Sequence, residues 1–222
     1  MKISKISVIL AGIIGFIVSS ELLSASEVVL DNTADLTATL SISLGSISTT
    51  NWNEKVFTTG LVDTTIDTIS LALYATSTAG SYTVDFNLYE VNSGNSYVPS
   101  GTALATTVGT VTLTTSAAYY TFKDIFSSFS LASGKTYGLV INSTALGTNC
   151  SWPSLTGTSY PASNGFSYVT SLRTTNSGNT WGTNTYSNAM QVTVVPEPST
   201  YAMMCSGLLL LALAVRRRSQ YV

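Results

Sequence analysis

Between residues 27 and 195, apolar side chains recur at every second position in several short runs. Ile69, Leu71 and Leu73 alternate with Ser70, Ala72 and Tyr74, and Tyr82, Val84, Phe86 and Leu88 alternate with Thr83, Asp85 and Asn87. Val111 and Leu113 stand among Thr110, Thr112 and Thr114, and Tyr120 and Phe122 among Tyr119, Thr121 and Lys123. Tyr137, Leu139 and Ile141 form another row, and Val192 with Val194 forms the last. A period of two places one face of a strand on a core and the other in water. Ala79-Gly80, Asn92-Ser93-Gly94-Asn95, Pro99-Ser100-Gly101 and Ser133-Gly134 punctuate the runs as turns. This pattern predicts an all-β fold: an antiparallel two-sheet sandwich, jelly-roll-like, over residues 27–195. The body shows neither a long helical periodicity nor a fixed-period repeat, so a solenoid or propeller is not expected.

The two ends break the pattern. Met1-Lys2-Ile3-Ser4-Lys5 precedes an apolar run from Ile6 to Val18, and Ser24-Ala25-Ser26 follows as a small-x-small site. Charge, apolar run and small residues in that order predict a signal peptide over 1–26, cut between Ser26 and Glu27. At the other end, 196–222 divides into Pro196-Glu197-Pro198-Ser199-Thr200, an apolar helix over Tyr201–Val215, and Arg216-Arg217-Arg218. A helix of that length spans about 22 Å, short of the ~30 Å hydrocarbon core. Pro196 and Pro198 lack N–H donors and are expected to stand outside the preceding strand, as a stiff extended segment. The arginine cluster is expected to stay in the cytoplasm, as are Lys2 and Lys5, leaving the body outside the inner membrane.

This tail resembles the PEP-CTERM sorting signal of Gram-negative bacteria: Pro196-Glu197-Pro198, then an apolar helix, then Arg216–Arg218. The resemblance implies export through the secretion translocon and transient anchoring in the inner membrane. It also implies a partner, exosortase, a membrane-embedded cysteine transpeptidase that cuts near the motif. The body is then released or passed to the cell surface or extracellular matrix. One family name for such tails refers to an ice-binding-protein C-terminal domain; that label concerns the tail and implies nothing about the body. The body has a looser resemblance of its own. Trp52, Val56-Phe57-Thr58-Thr59-Gly60, Ile66–Leu73, Tyr82–Leu88, Pro99-Ser100-Gly101-Thr102 and Leu131–Ile141 look like the choice-of-anchor β-sandwich modules that precede various anchoring tails. That resemblance implies architecture and surface placement only.

Composition narrows the chemistry. The chain has 222 residues and no histidine, so Ser–His–Asp, Cys–His and His-ligated zinc schemes are excluded. Ser and Thr make about 30% of the chain while charged residues make 9%. Hydroxyls therefore carry the solubility. The body holds four basic and nine acidic side chains. Without clustered Lys or Arg to neutralise phosphates, no nucleic-acid partner is expected. Cys150 is alone in the body, so no internal disulfide is available, and no histidine exists to activate it.

Few residues suggest a site. Gly147–Asn188 carries Trp152, Tyr160, Phe166, Tyr168, Trp181 and Tyr186 amid Asn, Ser, Thr and Gly. Ring faces beside amides and hydroxyls suit sugars, so Trp152, Tyr160, Trp181 and Tyr186 are candidate glycan-binding residues, with exopolysaccharide as the partner. The bland alternative is that the tryptophans are core residues. No cofactor and no metal centre are expected, although Asp31, Asn32 and Asp35, and Asp63 with Asp67, are oxygen donors that could hold structural calcium. Asp85 and Glu90 are a conceivable glycosidase pair, and the single row Thr110, Thr112, Thr114 a conceivable ice-binding face. Asn142-Ser143-Thr144 and Asn149-Cys150-Ser151 match the glycan-acceptor pattern, which in a bacterium is usually idle. No catalytic residue is assigned. The expectation is a non-enzymatic surface or matrix protein, structural or adhesive, with a carbohydrate-binding module as the alternative and ice binding or hydrolysis behind it.

Overall fold

The computed structural model describes residues 26–32, 44–76, 78–116, 118–126, 129–144, 150–155, 162–184, 187–196 and 207–208. In chain order its strands are β1 (Glu27–Asp31), β2 (Leu44–Ile47), β3 (Trp52–Thr58), β4 (Thr64–Ala75) and β5 (Gly80–Glu90). Next come β6 (Ala105–Leu113), β7 (Ala118–Lys123), β8 (Ser130–Leu131), β9 (Thr136–Asn142) and β10 (Cys150–Leu155). The last are β11 (Ser167–Thr174), β12 (Gly182–Thr183), β13 (Ser187–Asn188) and β14 (Met190–Pro196). They form two antiparallel sheets. One is six-stranded, in the order β12-β11-β3-β9-β5-β6. The other is eight-stranded, running β1-β14-β4-β10-β13, with β2 on β10 and with β7 and β8 on β4. The expected signal helix (1–26) falls outside the described residues up to residue 25, and the tail helix does so apart from Gly207 and Leu208, which are helical.

The alternating rows become the two walls of one core. Val84, Phe86 and Leu88 of β5 and Leu139 and Ile141 of β9 are buried, as are Ile69, Leu71 and Leu73 of β4 and Val192 and Val194 of β14. The rings of Phe86 and Phe122 cross between the sheets edge to face, 5.0 Å apart. That geometry suits their quadrupoles. A strict period of two fails at one place. Ile66 and Ile69 are both buried although three residues apart. The register against β14 slips there, Thr193 facing Thr68 and Val194 facing Ile66. The bulge at Asp67 absorbs the extra residue and returns Ile66 to the core face.

Two features depart from the sequence reading. Pro196 is the last residue of β14, opposite Thr64, rather than outside the strand. A terminal position needs no onward N–H bond, so the missing donor costs the ladder nothing. The second is β3, whose Asn53-Glu54-Lys55 gives no apolar alternation. It is nevertheless an interior strand, paired to β11 on one side and β9 on the other, and all three polar side chains are buried.

Those buried charges are individually resolved. Lys55 points between the sheets, where its Nζ donates to Ser171 Oγ at 2.6 Å and lies 5.4 Å from the centre of the Trp152 ring. Burial lowers its pKa to about 7. The Tyr168 hydroxyl shares Ser171 Oγ at 2.6 Å. Glu54 points to the opposite face of the same sheet. It is fully buried, neither carboxyl oxygen has a hydrogen-bond partner among the described residues, and burial pushes its pKa up to about 9. The carboxyl fits because Gly138, across the ladder, has no side chain: a Cβ there would overlap Glu54 Oε1.

Candidate functional site

Two places carry functional information: the end of β14 and the hairpin after β11. At the first, β14 is held on both sides, by β1 and by β4. Glu27 faces Val194, so the residue that follows the expected signal cut and the strand that runs into the sorting motif are neighbours. Pro196 is the last motif residue within the described body; Glu197, Pro198 and Arg216–Arg218 lie outside the described residues.

At the second, the chain turns tightly between Thr174 and Trp181. The Thr174 hydroxyl donates to Asn176 Oδ1 at 2.7 Å and accepts from the Asn176 and Gly178 amides at 3.3 Å. Asn176 Oδ1 also accepts from the Thr180 amide at 2.9 Å, and its Nδ2 donates to Thr180 Oγ1 at 2.8 Å. Asn side chains that mimic backbone in this way lock turns. Ser177 and Gly178 take positive φ, 57° and 84°. The Trp52 ring lies so close to Gly178 that a Cβ there would come within 2.9 Å of it. Ser177 is tied across to the Thr50 carbonyl through its amide (3.0 Å) and to the Thr49 carbonyl through its hydroxyl (3.1 Å). The return strand β12 pairs Gly182 with Arg173. The frame leaves an open depression of about 440 Å³ lined by Arg173, Thr174, Thr175, Thr180, Trp181 and Thr183. Trp181 is half-buried at its wall.

The four aromatic candidates therefore separate. Trp152 is a core residue: it is 0% exposed, and its indole N–H donates to the Ala189 carbonyl at 2.9 Å. It has no free face for a sugar, because β10 presents it inward beneath Lys55. Trp181 alone of the four stands at an open surface among the described residues; Tyr160 and Tyr186 lie outside them. Arg173, which the sequence reading passed over, joins Trp181 in the depression. Its only sequence signal was a cation in a stretch otherwise rich in hydroxyls and amides.

The remaining candidates do not assemble as imagined. Asp85 and Glu90 are five residues apart on extended β5, about 17 Å, too far for the ~5–9.5 Å of a glycosidase pair. Asp85 accepts from Asn142 Nδ2 (3.3 Å) and Thr144 Oγ1 (3.4 Å), while Glu90 pairs with Lys135 at 2.9 Å. Burial raises the Cys150 thiol to about 12, which suppresses the thiolate that nucleophilic attack needs. Asp63 accepts from the Ser133 amide at 2.8 Å, and Asp31 from Gln191 Nε2 at 3.0 Å. Asn32 clips β1 to β14, accepting from the Met190 amide at 2.7 Å. Asp35 lies outside the described residues, and among those described no three carboxylate or thiol groups converge. The threonine row is not single: Thr110 faces Thr83 and Thr112 faces Ser81 across β5 and β6. The next pair along is Asp85 with Val108, so the hydroxyl array is only two rungs long.

The chain carries a recognised sorting signal: the PEP-CTERM protein-sorting motif matches residues 194–218. It is thus an exported protein, sorted at the membrane toward the cell surface by exosortase. The match begins inside β14 and takes in the arginine cluster. No curated protein matches the chain.

Proposed function

We propose that the sandwich is a non-catalytic structural or adhesive component of the surface or extracellular matrix of a Gram-negative bacterium. The observation that carries this reading is the origin of the sorting motif in β14, a strand clamped between β1 and β4. A body attached through such a strand is delivered folded, and transpeptidation beyond Pro196 leaves the buried Val192 and Val194 in the body. The crossed strand order supports reading the sandwich as jelly-roll-like and of the choice-of-anchor type. Intact-mass measurement on protein recovered from the cell surface tests the proposal. The expected species begins at Glu27 and ends near Pro198. Surface material that retains Tyr201–Val222 would contradict the processing step.

A second reading, glycan binding, is favoured by the half-buried Trp181 at an open depression on a rigid hairpin. Binding loops held by a stiff sandwich are a common way to place such groups. In this reading the protein adheres by holding exopolysaccharide, with no cofactor and no bond broken. Titration of exopolysaccharide against the intact protein tests it, with Trp181→Ala as the control that abolishes binding while the fold persists.

A further inference from the structure

We infer that the Arg173–Trp181 depression selects acidic polysaccharide, chains bearing uronate or other carboxylated sugars, over neutral glycans. The inference rests on the glycan-binding reading and supplies its substrate class.

Arg173 is the reason. The other basic side chains of the body are Lys55, Lys123 and Lys135. Lys55 is sealed in the core on Ser171, and Lys135 is matched by Glu90. Arg173 lines the open depression, and among the described residues no group accepts a hydrogen bond from it; its Nε is buried with none. A guanidinium always carries its charge, and a partly desolvated one without an acceptor is costly. A ligand carboxylate would accept in bidentate fashion from the two terminal nitrogens, which unlike Nε are not sealed from solvent. Among the described residues no carboxylate lines the depression to compete for it. The other lining groups suit the rest of a sugar. Trp181 offers a ring to the apolar face of a pyranose, and Thr174, Thr175, Thr180 and Thr183 offer hydroxyls that both donate and accept. The hydrogen-bonded turn Thr174–Thr180 fixes the cation and the ring relative to each other before any ligand arrives. Binding then orders few side chains. The body as a whole is acidic, so the recognition is local and not steered by net charge.

The experiment uses the full chain in detergent, titrated with polygalacturonate and with the same polymer after its carboxyls are reduced to alcohols. Polygalacturonate is expected to bind about tenfold or more tightly than the reduced polymer, a margin that shrinks with added salt. Arg173→Gln should abolish the preference while retaining weak binding of both polymers, and Trp181→Ala should weaken both. Far-ultraviolet circular dichroism and thermal unfolding establish that each variant is folded. Equal affinity for the two polymers, with Trp181 required, would overturn the acidic preference and leave the glycan-binding reading standing. Binding of neither polymer, or binding untouched by both substitutions in folded protein, would overturn the inference together with that reading.

Discussion

Glu27 and Val194 face each other across the β1–β14 ladder, so the two ends of the exported body lie side by side. The relation ties two addressing events to one edge of one sheet. The proposed signal cleavage before Glu27 would free the start of β1. The sorting motif, from residue 194, begins inside β14. Between them Val29, Leu30, Val192 and Val194 are buried, so the pair of strands belongs to the core. The body should therefore be equally stable before and after tail removal. Thermal unfolding of the full chain in detergent and of the processed surface form should give midpoints within about 2 °C, because the buried side chains of β1 and β14 all precede the cut and roughly 1 kcal/mol would be needed for a larger shift. Removal of Glu27–Asp31 should instead lower the midpoint strongly, since it strips β14 of one neighbour and the core of Val29 and Leu30.

Trp152 and Trp181 separate a core residue from a surface one by their response to the same substitution. Trp152→Ala should destabilise the fold by about 3–5 kcal/mol, through lost burial, a cavity and the loss of one of the two hydrogen bonds that the Ala189 carbonyl accepts, the other coming from the Ala72 amide. Trp181→Ala should cost below about 1 kcal/mol, as a half-exposed hairpin side chain. Chemical denaturation reads both. Equal effects would refute the assignment of Trp152 to the core.

The sequence made the walls of the sandwich legible because the rows of β4, β5, β9 and β14 obey a period of two and face one common core. It could not place β3. Asn53, Glu54 and Lys55 show no apolar alternation, and only pairing to β9 and β11 on both sides makes them interior. Nor could alternation show the bulge at Asp67, which is a property of two strands and not of one. The tryptophans illustrate the same limit at the candidate site. Both sit in stretches rich in Ser, Thr and Asn, and their fates differ because β10 lies under the opposite sheet while Trp181 ends a turn at the sheet's rim. The pairing of Arg173 with Trp181 depends on β11 and β12 meeting, which no local pattern announces. The sorting tail was legible because its signal is linear: order and spacing carry it without a fold.

Gly138 should resist any side chain. A Cβ at this position would overlap Glu54 Oε1 and come near the Val91 side chain at 3.3 Å. Overpacking of that kind costs about 1–3 kcal/mol. Gly138→Ala should lower stability by that amount, and Glu54→Ala should make the same change nearly neutral. A double-mutant cycle by urea denaturation measures the coupling, and additive effects would show that the two residues do not share this space.

Glu54 and Lys55 should give the body an unusual pH profile. Burial raises the Glu54 pKa to about 9 in the folded protein against 4.5 for an ordinary glutamate, so the folded protein holds a proton that the unfolded chain releases. Its contribution is complete below about pH 4.5 and is lost as pH rises toward 9. Lys55 titrates at about 7 folded against 10.5, so its contribution is complete above about pH 10.5 and is lost as pH falls to 7, changing no further below. From pH 4.5 to 7 only Glu54 acts, and stability should fall with rising pH by up to about 1.4 kcal/mol per unit. From 7 to 9 the two slopes oppose each other and the profile should be nearly flat. Glu54→Gln should abolish the acid-side slope and stabilise the protein at pH 7 by up to about 3 kcal/mol. It should also expose the Lys55 slope as a rise in stability above pH 7. Lys55→Met should do the reverse, extending the Glu54 decline through pH 9. Urea denaturation midpoints at half-unit steps from pH 4.5 to 9 distinguish these shapes. A wild-type profile that rises from 4.5 to 7 would mean that Glu54 is not buried as the structure places it, and a Glu54→Gln profile that stays flat above pH 7 would mean the same of Lys55.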